Sequence, residues 1–221
     1  MKYCFTFLSC GQRHNDSLSS KLKNNPIFYD KNVIVTSDDP DRFKDHGETF
    51  KVSQNFMLPG IKGGRRTSWF NYNLKREAIG NAVSAGYNKI FYVDSDVEMT
   101  EWKEDFFIKN EVGAFFRRFI KRSQHPQKYH FYDKIFRLSS WKRYRPVSEK
   151  IMYFNEDPEK IKRFVETWEH LDLISRGKIN PPTEGHEIRI SCRTNGIDVF
   201  SYKPDPFKQA GGSIFKDRVF S

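Results

Sequence analysis

Cysteine is scarce: Cys4, Cys10 and Cys192 are the only three in 221 residues. That is too few and too scattered for a disulfide framework or a thiolate zinc site, so they read as reduced structural thiols of a cytosolic protein. Long apolar runs are missing too, and none approaches the about 20 residues a bilayer-spanning helix needs. The opening run is interrupted by Thr6 and Ser9 and followed by polar Gln12-Arg13-His14-Asn15-Asp16. It fits a first buried strand rather than an export signal. The glycine-containing stretch Gly60-Ile61-Lys62-Gly63-Gly64-Arg65 lacks the Gly-Lys-Ser/Thr ending of a nucleotide-binding P-loop. Acid is scarce in one place. Residues 113–145 hold ten Lys or Arg and one acid, Asp133, which accounts for nearly all of the chain's net charge of +10. Such a block suggests a polyanionic partner, since a merely solvated face usually mixes signs.

What is present reads as one α/β domain over residues 1–221, since no repeat, low-complexity tract or linker divides it. Apolar runs at residues 3–8 and 32–37 predict buried strands, and 50–52 a short third. Phe70, Leu74, Ala78, Ile79, Ala82 and Val83 recur at helical spacing, which predicts a helix over 68–85 stopped by Gly86. Lys89-Ile90-Phe91-Tyr92-Val93 then predicts a strand that ends abruptly in acid. This order implies a doubly wound, mostly parallel sheet with flanking helices. The second half is less regular: strands near 151–154 and 197–200, and helices over 158–171 and 183–193.

Asp94-Ser95-Asp96 follows the apolar strand directly. Two carboxylates two residues apart at a bend are hard oxygen ligands suited to Mg²⁺ or Mn²⁺; the alternative is an ordinary polar turn. A haloacid-dehalogenase-like phosphatase also uses Asp-X-Asp, but it expects Thr or Val where this chain has Glu98.

The context decides for the metal. The segment Lys75-Arg76-Glu77-Ala78-Ile79, then Gly86-Tyr87-Asn88-Lys89-Ile90-Phe91-Tyr92-Val93-Asp94-Ser95-Asp96, resembles the GT-A glycosyltransferases. A second match lies downstream, where Glu184-Gly185-His186-Glu187-Ile188-Arg189 precedes Asn195-Gly196-Ile197-Asp198-Val199. Gly185 departs from the family's usual amide, and no Leu-Asn pair follows. The resemblance implies a GT-A-like domain with a donor-binding half at 1–100 and an acceptor half at 101–221. It also implies a nucleotide-sugar donor, a UDP-sugar first, and a Mn²⁺ or Mg²⁺ ion on Asp94 and Asp96. It places Glu184 at the catalytic acid position, with Glu187 one turn on as the alternative, and turns Lys75 or Arg76 toward the donor. By fold logic the base and ribose lie over the end of the first strand, where Thr6, Phe7, Ser9, Arg13 and Asp38 are the expected contacts, with Ser95 beside the diphosphate.

The basic block interleaves with nine aromatics between Phe115 and Tyr144, a pairing that suits a phosphate backbone and unstacked bases. Arg117, Arg118, Lys121, Arg122, Trp141, Lys142, Arg143 and Arg145 are the expected acceptor contacts. With the small size, this block resembles the bacteriophage glycosyltransferases that modify hydroxymethylated DNA bases. That resemblance implies DNA as acceptor, 5-hydroxymethylcytosine as target and a host-cytoplasmic location. One alternative is a glycosyltransferase acting on a surface glycan or lipopolysaccharide. Another is a non-catalytic nucleic-acid-binding protein, although no helix-turn-helix, zinc finger or RNA-recognition signature is present.

Overall fold

The computed structural model describes residues 3–62, 65–116, 147–176, 184–201 and 215–217. In chain order the elements are β1 (Cys4–Ser9), α1 (Gln12–Asn24), β2 (Asn32–Ser37), β3 (Glu48–Lys51), β4 (Met57–Lys62), β5 (Arg65–Phe70) and α2 (Lys75–Ser84). There follow β6 (Lys89–Val93), β7 (Val97–Met99), α3 (Glu104–Phe107), β8 (Gly113–Phe116), β9 (Ile151–Asn155), α4 (Pro158–Ser175), α5 (Glu184–Thr194), β10 (Val199–Ser201) and β11 (Phe215–Asp217).

Seven strands form one sheet in the order β10-β8-β9-β6-β1-β2-β3. All pairings are parallel except those of β9, which runs against both β6 and β8. The sheet is mixed α/β and mostly parallel, as expected from the sequence. Each residue of β1 is buried, because a central parallel strand is covered on both faces. Alternate residues serve opposite layers. Cys4, Leu8, Ile90 and Tyr92 join a cluster with residues of α2, α4 and α5. Phe5, Phe7, Phe91 and Val93 join a second cluster with Leu18 and Leu22 of α1, and Trp102 packs on Phe5 and Phe91 at ring separations of 4.8 and 5.2 Å. The three cysteines are free and buried. Burial pushes the Cys10 and Cys192 thiols up to about 12 and that of Cys4 higher still.

One predicted helix needs correction and another helix went unpredicted. The helix predicted over 68–85 starts only at Lys75. Residues 65–70 instead pair antiparallel with 57–62 in a separate ribbon, Lys62 opposite Arg65 and Met57 opposite Phe70. Phe70 therefore matched the helical spacing by coincidence, while the Gly63-Gly64 pair between two β-prone runs is the hairpin signal. Helix α1 was not expected at all. Its buried stripe consists of Asn15, Leu18, Lys21 and Leu22, half of it polar, so its apolar periodicity is faint. Gly11 makes the turn into it with φ +82, a conformation that favours glycine.

Arg76, expected to face the donor, is buried in the α2–α4 interface. Its Nη1 donates to Asn73 O at 2.8 Å and lies 3.2 Å from Asp172 Oδ2, and Asn73 Nδ2 donates to Asp172 Oδ1 at 2.8 Å. Arg176 Nη2 reaches the same carboxylate at 2.6 Å. Removing one partner of such a buried pair strands the other charge. Asp172→Ala should therefore cost about 3–5 kcal/mol, read as a lower urea midpoint at unchanged slope. A loss under about 1 kcal/mol would show that the pair does not hold these helices together.

Candidate active site

From β1 the chain builds outward through β2 to β3, then returns to lay β6 on the other side of β1. In an open α/β sheet this reversal opens a crevice at the carboxyl ends of the two strands. A cavity of about 580 Å³ lies there, lined from β1 by Leu8, from α1 by His14 and from the end of β6 by Tyr92, Asp94, Ser95 and Asp96. The ribbon and the turn after it add Ser68, Phe70 and Tyr72, α2 adds Lys75, the approach to β9 adds Glu149 and Lys150, and α5 adds Glu184.

The strand delivers its carboxylates through a tight turn. Asp94 N donates to Lys150 O at 2.9 Å and Val97 N to Asp94 O at 3.0 Å, with Ser95 and Asp96 between. Lys75, only 3% exposed, places Nζ 3.0 Å from Asp94 Oδ1, 3.1 Å from Oδ2 and 3.3 Å from Glu184 Oε1. Tyr92 Oη donates to Asp94 Oδ1 at 2.7 Å. Burial alone would lower the Lys75 ammonium, but the charges of Asp94, Glu184 and Glu149 outweigh it and hold its pKa above the ordinary value. Burial raises Asp94, against the pull of Lys75 and with the push of Asp96. Glu184 opens an 11-residue helix, where the dipole favours an acid. One wall is aromatic: the Phe70 and Tyr72 rings lie 4.9 Å apart and His14 is 5.5 Å from Phe70.

The structure thus gathers Lys75, Asp94, Ser95, Asp96 and Glu184 around one cavity. The other expected residues among those described are not part of its lining. Glu187 is fully buried, its Oε1 accepting from Ser175 Oγ at 3.0 Å on the α4 side. Thr6 donates to Ala78 O at 2.9 Å, and Phe7 packs in the core with Phe28; both belong to the interior of the sheet. Ser9 is buried against Asn15 Oδ1 at 2.8 Å. Asp38 accepts from Gly11 N at 3.1 Å and from Asn15 Nδ2 at 2.9 Å, and Arg13 is exposed on α1. Arg117, Arg118, Lys121, Arg122, Trp141, Lys142, Arg143 and Arg145 lie outside the described residues.

Sequence reasoning missed Glu149, Lys150, His14 and Tyr72. The first two precede β9, and only its antiparallel pairing with β6 sets them beside Asp94. A sequence shows the strand but not its direction. His14 was hidden with its helix, and Tyr72 fell inside a segment read as helix.

The architecture is a GT-A-like fold. No protein-family model matches the sequence, and no curated protein matches it. Among solved structures, the chain is similar to the crystal structure of the glycosyltransferase GlyE from Streptococcus pneumoniae TIGR4, with a TM-score of 0.53 over 92% of this chain. The two are 13% identical, and the chain spans 45% of that protein's length. At that identity the likeness speaks for the fold.

Burial and the neighbouring Glu184 push the Glu149 carboxyl up to about 7, against the pull of Lys75; Asp94 adds to the rise. Unfolded, the group would titrate near 4.5. Between these values the folded chain binds more protons than the unfolded one, so stability falls as pH rises through that window. Urea unfolding at pH 5 and pH 7.5 should show this loss, on the order of 2 kcal/mol for this group. Glu149→Gln should remove most of it, and an unchanged slope in that variant would assign the titration elsewhere.

Proposed function

We propose that this chain is a glycosyltransferase that moves a sugar from a nucleotide-sugar, a UDP-sugar first, to a hydroxyl acceptor. The observation that carries this reading is the convergence of Asp94, Asp96, Lys75 and Glu184 on one cavity at the reversal point of a GT-A-like sheet. Four carboxylates (Asp94, Asp96, Glu149, Glu184) line that cavity with two lysines, Lys75 and Lys150. A diphosphate entering there meets excess negative charge, and a divalent cation offsets it.

Among the described residues, no three His, Cys, Asp or Glu side chains form a ready-made metal site. This donor set still fits Mg²⁺ or Mn²⁺, which take one or two carboxylates and complete their shells with phosphate oxygens and water. Asp96 is the principal ligand in this reading, because Asp94 is already held by Lys75 and Tyr92. When bound, the ion would stabilise charge on the departing diphosphate. Lys75 supplies a fixed positive charge beside the same groups, which needs no reorganisation during reaction. In this reading one of the two further carboxylates lining the cavity, Glu184 or Glu149, accepts the acceptor's hydroxyl proton. Glu149, held near neutrality, is the better matched to proton transfer.

The acceptor in this proposal is a hydroxymethylated cytosine in DNA, which places the enzyme in the cytoplasm of a phage-infected host. The basic, aromatic-rich sequence of 113–145 supports it. Among the described residues no helix is long and apolar enough to cross a membrane.

A nucleotide that binds the folded state raises its melting temperature by mass action. UDP with Mn²⁺ should do so for the wild type, and Asp96→Ala should lose the Mn²⁺-dependent part of the shift. Equal shifts in both proteins would overturn the metal assignment.

Labelled nucleotide-sugars offered to DNA containing 5-hydroxymethylcytosine should label it, while unmodified DNA stays blank. Label on a glycan or lipopolysaccharide acceptor with none on the modified DNA would replace the DNA reading with a surface-glycan one.

A further inference from the structure

One helix outside the carboxylate cluster grips the Asp-Ser-Asp turn from behind. Lys21 of α1 is buried, and its Nζ lies 2.7 Å from Ser95 O and 3.3 Å from Asp94 O. His14 lies two helical turns earlier on the same face, with Nδ1 3.0 Å from Ser95 Oγ. The same helix holds Ser95 by its carbonyl and by its hydroxyl. Lys21 does not line the 580 Å³ cavity, so its influence there runs through the turn.

The neighbouring Asn15 extends the grip. Its Oδ1 accepts from Ser9 Oγ at 2.8 Å and from Ser37 Oγ at 3.2 Å, and its Nδ2 donates to Asp38 Oδ1 at 2.9 Å. Helix α1 therefore ties together the carboxyl ends of β1, β2 and β6. A buried lysine loses hydration, and charge-assisted bonds to carbonyls repay part of that loss. With Asp94 O also accepting from Val97 N, the turn is braced before any ligand enters.

We propose that Lys21 and His14 are positioning residues that fix the Asp94-Ser95-Asp96 turn so that its carboxylates meet the incoming donor pre-organised. For the ligand this rests on the glycosyltransferase reading; for the turn itself it does not. Partners that orient a metal-binding or anion-binding group typically change affinity by about 10–100-fold when removed.

The test compares Lys21→Met with Lys23→Met, a change at an exposed lysine of the same helix. Amide hydrogen exchange at Val97 reports the turn without any ligand. It should rise roughly tenfold in Lys21→Met and stay at the wild-type rate in Lys23→Met. Calorimetry with UDP and Mn²⁺ should show about 10–100-fold weaker binding in Lys21→Met alone. Unchanged exchange at Val97 overturns the proposal. If exchange rises but the wild type itself binds no UDP with Mn²⁺, the bracing stands and the glycosyltransferase reading falls.

If Lys21→Met does not fold, His14→Ala, Ser95→Ala and the double variant decide the matter by the same exchange measurement. A double variant no worse than either single one supports action through Ser95. Full additivity shows that His14 acts independently of the turn and overturns its assigned role.

Discussion

The site depends on one buried ammonium group. Lys75 sits at the start of α2, Asp94 at the end of β6 and Glu184 at the start of α5, and Nζ of the first is within 3.3 Å of both acids. A buried charge without partners is costly, and without the lysine the two acids would lose the cation they share. The three segments are therefore held in one arrangement by mutual need. Tyr92 also donates to Asp94 Oδ1, and burial together with the neighbouring charge of Glu184 raises the proton affinity of Glu149.

The sheet explains why so many loops contribute. Parallel strands send all their carboxyl ends to one edge, so β1, β2 and β6 deliver Gly11, Asp38 and Asp94 together. The reversed strand β9 contributes from its other end, and so Glu149 and Lys150 enter the same edge before the strand begins. The ribbon of β4 and β5 lies outside the main sheet and supplies Phe70 to the aromatic wall.

Legibility in the sequence followed physical contrast. β1, β2 and β6 are almost wholly buried and read as largely apolar runs, so their succession along the chain and the acid turn after β6 could be read directly. α1 could not, because the groups it buries include Asn15 and Lys21, whose value lies in hydrogen bonds that no periodicity registers. Arg76 and Lys75 are adjacent bases on one helix, and only the three-dimensional rotation between them sends one to the cavity and the other to Asp172. Glu187 likewise shares a helix with Glu184 but turns toward Ser175. The sequence offered pairs of like residues, and packing chose between their members.

The buried cysteines carry a consequence for how the molecule behaves as matter in solution. Thiol reagents attack the thiolate, and groups held far above neutrality inside a core present almost none of it. Cys4 opens β1, Cys10 follows its end, and Cys192 lies on α5, all three in the core cluster shared with α2 and α4. Modification at any of them must wait until that layer of helices parts from the sheet. The protein thus carries three built-in stopwatches, silent while the layers stay closed and started only by their separation.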